Sequence, residues 1–478
     1  MTRPDRQYHV LDKDLGRITL AESAQFHVLR PVLRLGAGIL LAVAVILLAL
    51  GITGQQPGTV AIGAGLVVAG WLGLSIGAND IANSLGPAVG AGAIAIGPGL
   101  ALVAAAEIAG AALAGGAVTH RLAEGVVDVS VLGGSGGQIV MLAALIAAAG
   151  WITVATGANL PVSTSHSIVG AIAGAGLAAA GSQAMSWGGI LAMAMAWILT
   201  PLAAAVLAGA LLALLRVKVA EAPDRGHAAR LWLPPLVGAM VGLFVAFVAT
   251  LLPALSLPMP QALVPGLIAG LAAALLMRRR VADVLVRAGS GKPPMKRILG
   301  QPLLFAAVMM GFAHGAGDAG NVAGPVLVIL SPAHDGALPM PILLLALAGA
   351  MIAAGGVLFG RRLVAVVGGG ITRLNPARAF CITLATAMIV MIAASRGLPV
   401  SSTHVAVGGV FGVGFVRELL DRRGNAGRAD LPVEERHRRR LIRRSHVVTI
   451  TAAWAVTVPI TALLGGLSCL AMLWLTGI

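Results

Sequence analysis

The chain is poor in charged residues, cysteines and aromatic residues. Asp, Glu, Lys and Arg make up only 11% of its 478 residues, against about 25% in soluble proteins, so the composition excludes an ordinary globular domain. The two cysteines, Cys381 and Cys469, lie in apolar stretches and indicate small buried side chains rather than a disulfide, redox or metal site. Aromatic residues account for 4% of the chain while glycine occurs 64 times, which favours helices that pack closely through small residues.

Apolar residues are abundant. They make up 58% of the chain and give it a mean hydropathy of +0.94. The unbroken apolar runs are about 17 to 25 residues long, which fits membrane-spanning helices and not the alternating segments of about ten residues in a barrel. We therefore predict an all-α polytopic membrane protein with about 11 to 13 transmembrane helices, embedded in a lipid bilayer.

Two short polar motifs each occur twice in this apolar background. The segment Gly77 to Pro87 recurs as Gly315 to Pro325, and the segment Pro161 to His166 recurs as Pro399 to His404. The offset in sequence number is the same for both pairs, namely 238. Since two independent motifs share one offset, the pattern indicates a duplicated architecture. Polar groups in membrane segments are costly unless they bind something, so the motifs predict a transport site.

The duplication divides the chain into five predicted regions. We expect a cytoplasmic N-terminal tail at 1–30, an additional span at 31–58, a first repeat at 59–215, linking spans with basic cytoplasmic loops at 216–297, and a second repeat at 298–478 that includes a basic loop at 417–446.

Loop charges predict that the two repeats are inverted. Basic residues concentrate in short loops at 278–297, 361–378 and 417–444, which the positive-inside rule places in the cytoplasm. The loop from Arg121 to Gln138 carries two acids and one arginine, although its counterpart around Arg361 is strongly basic. Matching loops of opposite charge are typical of inverted repeats in secondary transporters, whose site lies near the midplane. Re-entrant segments after Pro161 and Pro399 would change the parity of this count.

The net charge of +15 is explained by these loops, so we predict no nucleic-acid partner. The protein is expected to be a multi-pass integral protein of a bacterial inner membrane with its basic loops in the cytoplasm. A homodimer is one oligomeric state that we consider for it.

The acidic motif carries groups suited to a cation. An Asp and an Asn three residues apart share one face of a helix, as in Asp80 with Asn83 and Asp318 with Asn321. The neighbouring Gly and Pro residues predict helix breaks that free backbone carbonyls. Carboxylate, amide and carbonyl oxygens suit Na⁺, and a carboxylate alone can carry H⁺. A capping Asp at a helix break is the structural alternative.

The hydroxyl motif is suited to an anion. A proline followed by several hydroxyls predicts a helix N-terminus, where free amides and the positive end of the dipole attract negative charge. The predicted oxyanion ligands are Ser163, Thr164, Ser165, Ser401, Ser402 and Thr403. Ordinary N-capping by these hydroxyls is the structural alternative.

His314 precedes only the second acidic motif and is interpreted as a local hydrogen-bond partner there. Three further polar residues have more than one interpretation. His166 and His404 recur in the hydroxyl motifs and have either a structural or a proton-handling role. Glu107 is a lone acid in an apolar run, and at the offset of 238 its counterpart is Leu345. It is either a proton site or a residue that faces the bundle and pairs with a neighbour.

At these residues the sequence resembles the inorganic phosphate transporter (PiT) family, whose members carry Gly-X-Asn-Asp-X-X-Asn and Pro-Val-Ser-X-X-His motifs in each of two inverted repeats. The match covers Trp71 to Leu475 and includes Gly77 to Asn83. The resemblance implies secondary active transport of inorganic phosphate by symport with Na⁺ or H⁺, without any other cofactor. It also implies the cation residues Asp80, Asn83, Asp318 and Asn321, and the anion residues Asn79, Ser163, Thr164, Ser401 and Ser402.

The second acidic motif departs from the family pattern, because Gly317 replaces the Asn that corresponds to Asn79. Loss of one amide predicts an asymmetric site and leaves a sulfate permease of the same fold as the alternative function.

Rival classes fit the sequence less well. Gly315 to Asp318 also matches the Gly-X-Gly-Asp motif of intramembrane aspartyl proteases, and Asp80 could complete a dyad. The tyrosine usual before the first Asp of that class is missing, since Tyr8 is the only tyrosine of the chain. An anion channel would be expected to show a charged ring along its pore, which the apolar segments lack. We therefore predict a transporter and not an enzyme.

Overall fold

The described part of the chain is helical. A computed structural model describes residue 36 and residues 57–157, 162–252, 257–288, 294–330, 342–366, 375–424 and 444–477. Its helices are α1 (Pro57–Gly90), α2 (Ile96–Ala114), α3 (Gly116–Glu124), α4 (Gly133–Gly157), α5 (Thr164–Ala180), α6 (Trp187–Leu215), α7 (Arg225–Leu251), α8 (Met259–Ala288), α9 (Met295–Leu330), α10 (Ile342–Phe359), α11 (Arg361–Val366), α12 (Pro376–Ser395), α13 (Ser402–Gly424) and α14 (Arg444–Thr476).

Within these ranges, eleven helices are long and apolar enough to cross a membrane, and α5 is a shorter apolar helix. The predicted polytopic helical class is therefore confirmed. The tail at 1–30 and nearly all of the additional span at 31–58 lie outside the described residues, as does most of the basic loop at 417–446. The boundaries of the five regions stay predictions.

The two halves pack on each other reciprocally. Helix α1 packs against α10, and its counterpart α9 packs against α2. Likewise α5 packs against α14, the last helix of the second half, while α13 packs against α6, the last helix of the first half. The linking helices α7 and α8 pair mainly with each other. Each motif-bearing helix is thus held by the opposite half, as expected for inverted repeats.

Glycines bring these crossing helices into backbone contact. A Cβ on Gly110 would collide with the carbonyl of Phe312, and a Cβ on Gly355 would collide with the carbonyl of Leu74. Leu74 and Phe312 are related by the offset of 238, whereas Gly110 and Gly355 are related by an offset of 245. The same shift makes Ile352, not Leu345, the counterpart of Glu107. The prediction of Leu345 was wrong because the second half has seven more residues between its first two helices.

Helices α4 and α5 leave from one face of the protein and return to it. The segment before α4 pairs with the segment after α5, since the Asp128 N–H donates to the Ala184 carbonyl over 2.8 Å and the Ser186 N–H to the Val126 carbonyl over 3.0 Å. Helix α5 has 17 residues and is about 25 Å long, shorter than a hydrocarbon core of about 30 Å. Because the pair begins and ends on one face, a re-entrant arrangement of α4 and α5 would not change the parity of the first repeat, so that expectation was wrong for this half.

Three contacts join described residues at the helix ends that border the predicted basic loops. Arg216 forms an ion pair of 2.7 Å with Asp421, which joins the end of α6 to the end of α13. Lys296 lies against Gly92 at the end of α1. Leu363 of α11 belongs to a buried cluster with Leu85 of α1. The side of the membrane that these segments face stays a prediction.

The acidic motifs lie inside continuous helices, so the predicted breaks at these motifs are not present. Helix α1 continues through Asp80 to Gly90, and α9 continues through Asp318 to Leu330. The breaks occur at the hydroxyl motifs instead, where α5 and α13 begin. Pro87 and Pro325 still matter, because each lacks the N–H that would bond to the carbonyl four residues earlier.

Among the glycines of α1 whose surroundings the structure describes, Gly77 should be the least replaceable. A Cβ there would collide with the Ile352 carbonyl of α10, whereas a Cβ on Gly63 of the same helix has no neighbour within 4 Å. We expect Gly77→Ala to lower the apparent melting temperature in detergent, since forced repacking costs about 1–3 kcal/mol or more. The matched variant Gly63→Ala should be neutral or slightly stabilising. Equal melting temperatures for the two variants would contradict this packing.

Candidate functional site

The acidic motif of the first half meets the hydroxyl motif of the second half. The Asn83 amide donates to the Thr403 hydroxyl over 2.8 Å and to Asp80 Oδ1 over 3.3 Å. The Thr403 hydroxyl in turn donates to Asp80 Oδ1 over 3.2 Å. We call Asp80, Asn83 and Thr403 the first triad. Its carboxylate is buried, although Asn83 and Thr403 are half-buried.

The second half repeats this arrangement with the roles of the two halves exchanged. The Asn321 amide donates to Asp318 Oδ1 over 2.8 Å and to the Ser165 hydroxyl over 3.2 Å. Asp318, Asn321 and Ser165, the second triad, are all buried. Ser165 is the counterpart of Thr403 at the offset of 238, so the two triads are related by the duplication. Each triad takes an acid and an amide from one half and a hydroxyl from the other.

Local helix geometry explains how each triad forms. The Asp and Asn of each motif are three residues apart in α1 or α9, so both side chains lie on one helix face. The hydroxyl comes from the first turn of α5 or α13. The triads therefore lie where the middle of a long helix meets the N-terminus of a short one, with a positive dipole end beside them.

His314, predicted as a local hydrogen-bond partner of the second acidic motif, joins the two triads. Its Nε2 atom lies 2.8 Å from Asp318 Oδ2 and 3.6 Å from Asp80 Oδ2. Its Nδ1 atom lies 2.9 Å from Glu107 Oε1. Neither His314 nor Glu107 has measurable exposure. The structure thus places Glu107 as a bundle-facing acid paired with a neighbour, one of its two predicted interpretations.

The His314–Glu107 pair breaks the symmetry of the site. In the other half, Ile76 corresponds to His314 and Ile352 corresponds to Glu107. Both isoleucines are fully buried. An ionisable pair on one side therefore replaces an apolar pair on the other, in addition to the asymmetry between Asn79 and Gly317.

The remaining hydroxyls lie at the helix starts. Ser163 accepts a hydrogen bond from the His166 N–H over 3.2 Å, and Ser401 accepts one from the His404 N–H over 3.4 Å. Both serines therefore act as N-caps. Thr164 and Ser402, next to them, are buried, and Asn79 is half-buried on α1 beside the first triad.

The two motif histidines stack on each other across the interface of the halves. The ring centroids of His166 and His404 are 5.0 Å apart. His166 also packs edge-on against Trp197, with centroids 3.9 Å apart. The Trp197 indole donates to the Pro399 carbonyl over 2.8 Å, which ties α6 to the start of the second hydroxyl motif. This packing supports a structural role for both histidines.

Sequence signals for His314 were present but weak. His314 and Asp318 are four residues apart and so share a helix face, and Glu107 is an isolated acid in an apolar run. Only the crossing of α2 and α9 brings these residues together.

Comparisons with known proteins identify the family of this chain. Residues 76–465 match the model of the phosphate transporter family. The chain belongs to this family. It is 36% identical over 364 residues to a Helicobacter pylori protein described as a phosphate permease, covering 74% of this chain and 68% of that protein. It is 32% identical to inorganic phosphate transporter 2-1, chloroplastic, of Arabidopsis thaliana over 82% of this chain and 69% of that one.

A solved structure supports the same assignment. The chain is similar to a sodium-dependent phosphate transporter with a TM-score of 0.74 and 28% identity, over 85% of this chain and 98% of that one. The predicted family is thereby confirmed, and the protein is a transporter and not an enzyme. The aspartyl protease alternative is dropped.

Proposed function

We propose that the protein is a cation-coupled symporter of inorganic phosphate. Membership of the phosphate transporter family supports phosphate as the transported substrate. The observation that supports cation coupling is that each triad combines residues from both halves of the protein. Each one takes its ligands from both halves, so a cation bound there holds a hydroxyl-motif helix of one half against a long helix of the other.

This composition provides a physical route to coupling. A ligand shifts a conformational equilibrium only by binding the two states differently. When the halves move apart, an Asp–Asn pair loses its hydroxyl partner, so the cation binds most tightly when the triad is closed. Closing the triads also brings the N-termini of α5 and α13 together. Their dipoles and the hydroxyls of Thr164 and Ser402 then attract the phosphate, with Asn79 as an additional donor.

Sodium is the coupling ion that we propose. The triads offer carboxylate, amide and hydroxyl oxygens, which are the hard ligands that Na⁺ prefers. The backbone carbonyls of Asn83 and Asn321 add to this set. Each lacks its usual helix donor, because the residue four positions later is Pro87 or Pro325, which has no N–H. The similar solved structure is described as sodium-dependent. We further propose that the protein lies in a bacterial inner membrane with its basic end in the cytoplasm, and a homodimer stays a prediction.

The test is uptake of radiolabelled phosphate into proteoliposomes. We expect an inward Na⁺ gradient to raise the initial rate at least about tenfold over an equal K⁺ gradient, because the Na⁺ gradient drives a coupled carrier. A proton gradient and an excess of unlabelled sulfate are applied in separate arms. Uptake driven only by protons would overturn sodium as the coupling ion. Competition by sulfate as strong as that by phosphate would favour the sulfate alternative, and no uptake under any gradient would refute the symporter.

A further inference from the structure

We propose that the centre of the site is also a binding site for a divalent transition metal such as Zn²⁺ or Co²⁺. The ligands are Asp80, His314 and Asp318, whose ligand atoms all lie within 4.8 Å of one another. All three side chains are buried. This site is distinct from a sodium site in a triad, because its third ligand is a ring nitrogen and it takes one carboxylate oxygen from each triad.

The distances fit a metal centre. A Zn²⁺ ion bonds nitrogen and oxygen at about 2.1 Å, so two ligands of a tetrahedral ion lie about 3.4 Å apart. His314 Nε2 lies 2.8 Å from Asp318 Oδ2 and 3.6 Å from Asp80 Oδ2. The two histidine–aspartate distances are therefore within an ångström of the tetrahedral value, and the ligand oxygens of the two aspartates lie within 4.8 Å of each other. The fourth position stays available for water, as in open zinc sites.

Glu107 provides the support that metal-binding histidines usually have. A ligating imidazole typically donates its other N–H to a carboxylate, which fixes the tautomer and orients the ring. Glu107 Oε1 lies 2.9 Å from His314 Nδ1, so Nδ1 can keep its proton there, and a metal bound at Nε2 would displace the proton that Nε2 shares with Asp318. The three ligand atoms of His314, Asp80 and Asp318 would then surround one point that the metal occupies in place of that proton.

The ligand set selects the class of metal. Imidazole nitrogen favours Zn²⁺, Co²⁺, Ni²⁺ or Cu²⁺, whereas Mg²⁺ and Ca²⁺ prefer oxygen ligands alone. The metal would use Asp80 and Asp318 together and so tie the two long helices α1 and α9 to each other. We therefore expect a bound transition metal to compete with the coupling cation and to block transport.

The test measures metal binding directly on the full-length protein, purified without a polyhistidine tag. Titration with Co²⁺ alone should give visible d–d absorption that saturates near one metal per chain and disappears on addition of Zn²⁺. His314→Gln should abolish this absorption. The matched control is His120→Gln, since His120 is exposed in the middle of α3, and it should bind like the unmodified chain.

A second variant keeps the test decisive if His314→Gln fails to fold. Glu107→Gln retains all three ligands but weakens the support of the imidazole, and we expect Co²⁺ affinity about 10- to 100-fold lower. Absence of Co²⁺ absorption in the unmodified chain, or affinity unchanged in both variants, would overturn the proposal. Phosphate uptake is measured on the same preparation without metal. If phosphate uptake fails but Co²⁺ binds, the symporter is refuted and the metal site is supported. If uptake is observed but Co²⁺ does not bind, the metal site is refuted and the symporter is supported.

Discussion

Replacing Asp80 with Asn is expected to reduce sodium-driven phosphate uptake by roughly a hundred- to several-thousand-fold. The carboxylate is the only formal charge of the first triad, and its Oδ1 atom already accepts hydrogen bonds from Asn83 and Thr403. An asparagine oxygen can keep these bonds, so the triad should still assemble. A buried cation would then lack its counter-charge, which costs about 3–5 kcal/mol, or roughly two to four factors of ten in affinity.

The measurement is the initial uptake rate at a fixed Na⁺ gradient, together with the Na⁺ concentration that gives half of the maximal rate. Asp128→Asn is the matched control, because Asp128 is an exposed acid in the segment before α4 and the chemical change is the same. Its uptake should equal that of the unmodified protein. An Asp80→Asn variant that transports within threefold of the unmodified chain would remove Asp80 from the cation site.

Replacing His314 with Ile is expected to destabilise the protein by about 3–5 kcal/mol, because breaking a buried charge pair leaves the remaining charges without compensation. Three carboxylates, those of Glu107, Asp80 and Asp318, surround His314. The corresponding position of the first half is Ile76, so the side chain itself is compatible with this fold.

The double variant His314→Ile with Glu107→Ile should recover much of the lost stability. It places isoleucine at both positions, as at the corresponding positions Ile76 and Ile352 of the other half. Apolar replacement of a buried ion pair is often neutral or stabilising. Apparent melting temperatures in one detergent are compared for the unmodified chain, both single variants and the double variant. A double variant no more stable than His314→Ile alone would refute the compensation between His314 and Glu107. His120→Ile controls for the loss of a surface histidine.

Long apolar segments and repeated motifs were the parts of this protein most readable in the sequence. The lengths of the apolar runs predicted the helical membrane class, since a bilayer imposes that length. The constant offset between the motifs correctly related Thr403 to Ser165 and Asp80 to Asp318. The same offset failed for Glu107, because an insertion between α9 and α10 shifts α10 by seven residues relative to the motifs. A constant offset holds only within segments free of insertions.

Helix continuity was predicted less well than helix class. Glycine and proline beside Asp80 and Asp318 indicated breaks, yet α1 and α9 continue through both motifs. Membrane helices tolerate these residues when neighbouring helices pack closely, and the glycines here serve that packing. Ser163 and Ser401 cap their helices, in agreement with the structural alternative for those two hydroxyls.

The sequence by itself determined the class of protein, the duplication and the chemical types of the site residues, because apolar length and motif spacing are local properties of the chain. Only the tertiary structure decided which residues meet. Each triad joins residues that are far apart in the chain, such as Asn321 and Ser165 across 156 positions, and His314 reaches Glu107 across 207 positions. Such contacts depend on how helices of opposite halves cross, and that crossing is set by packing between glycine surfaces that no single segment encodes.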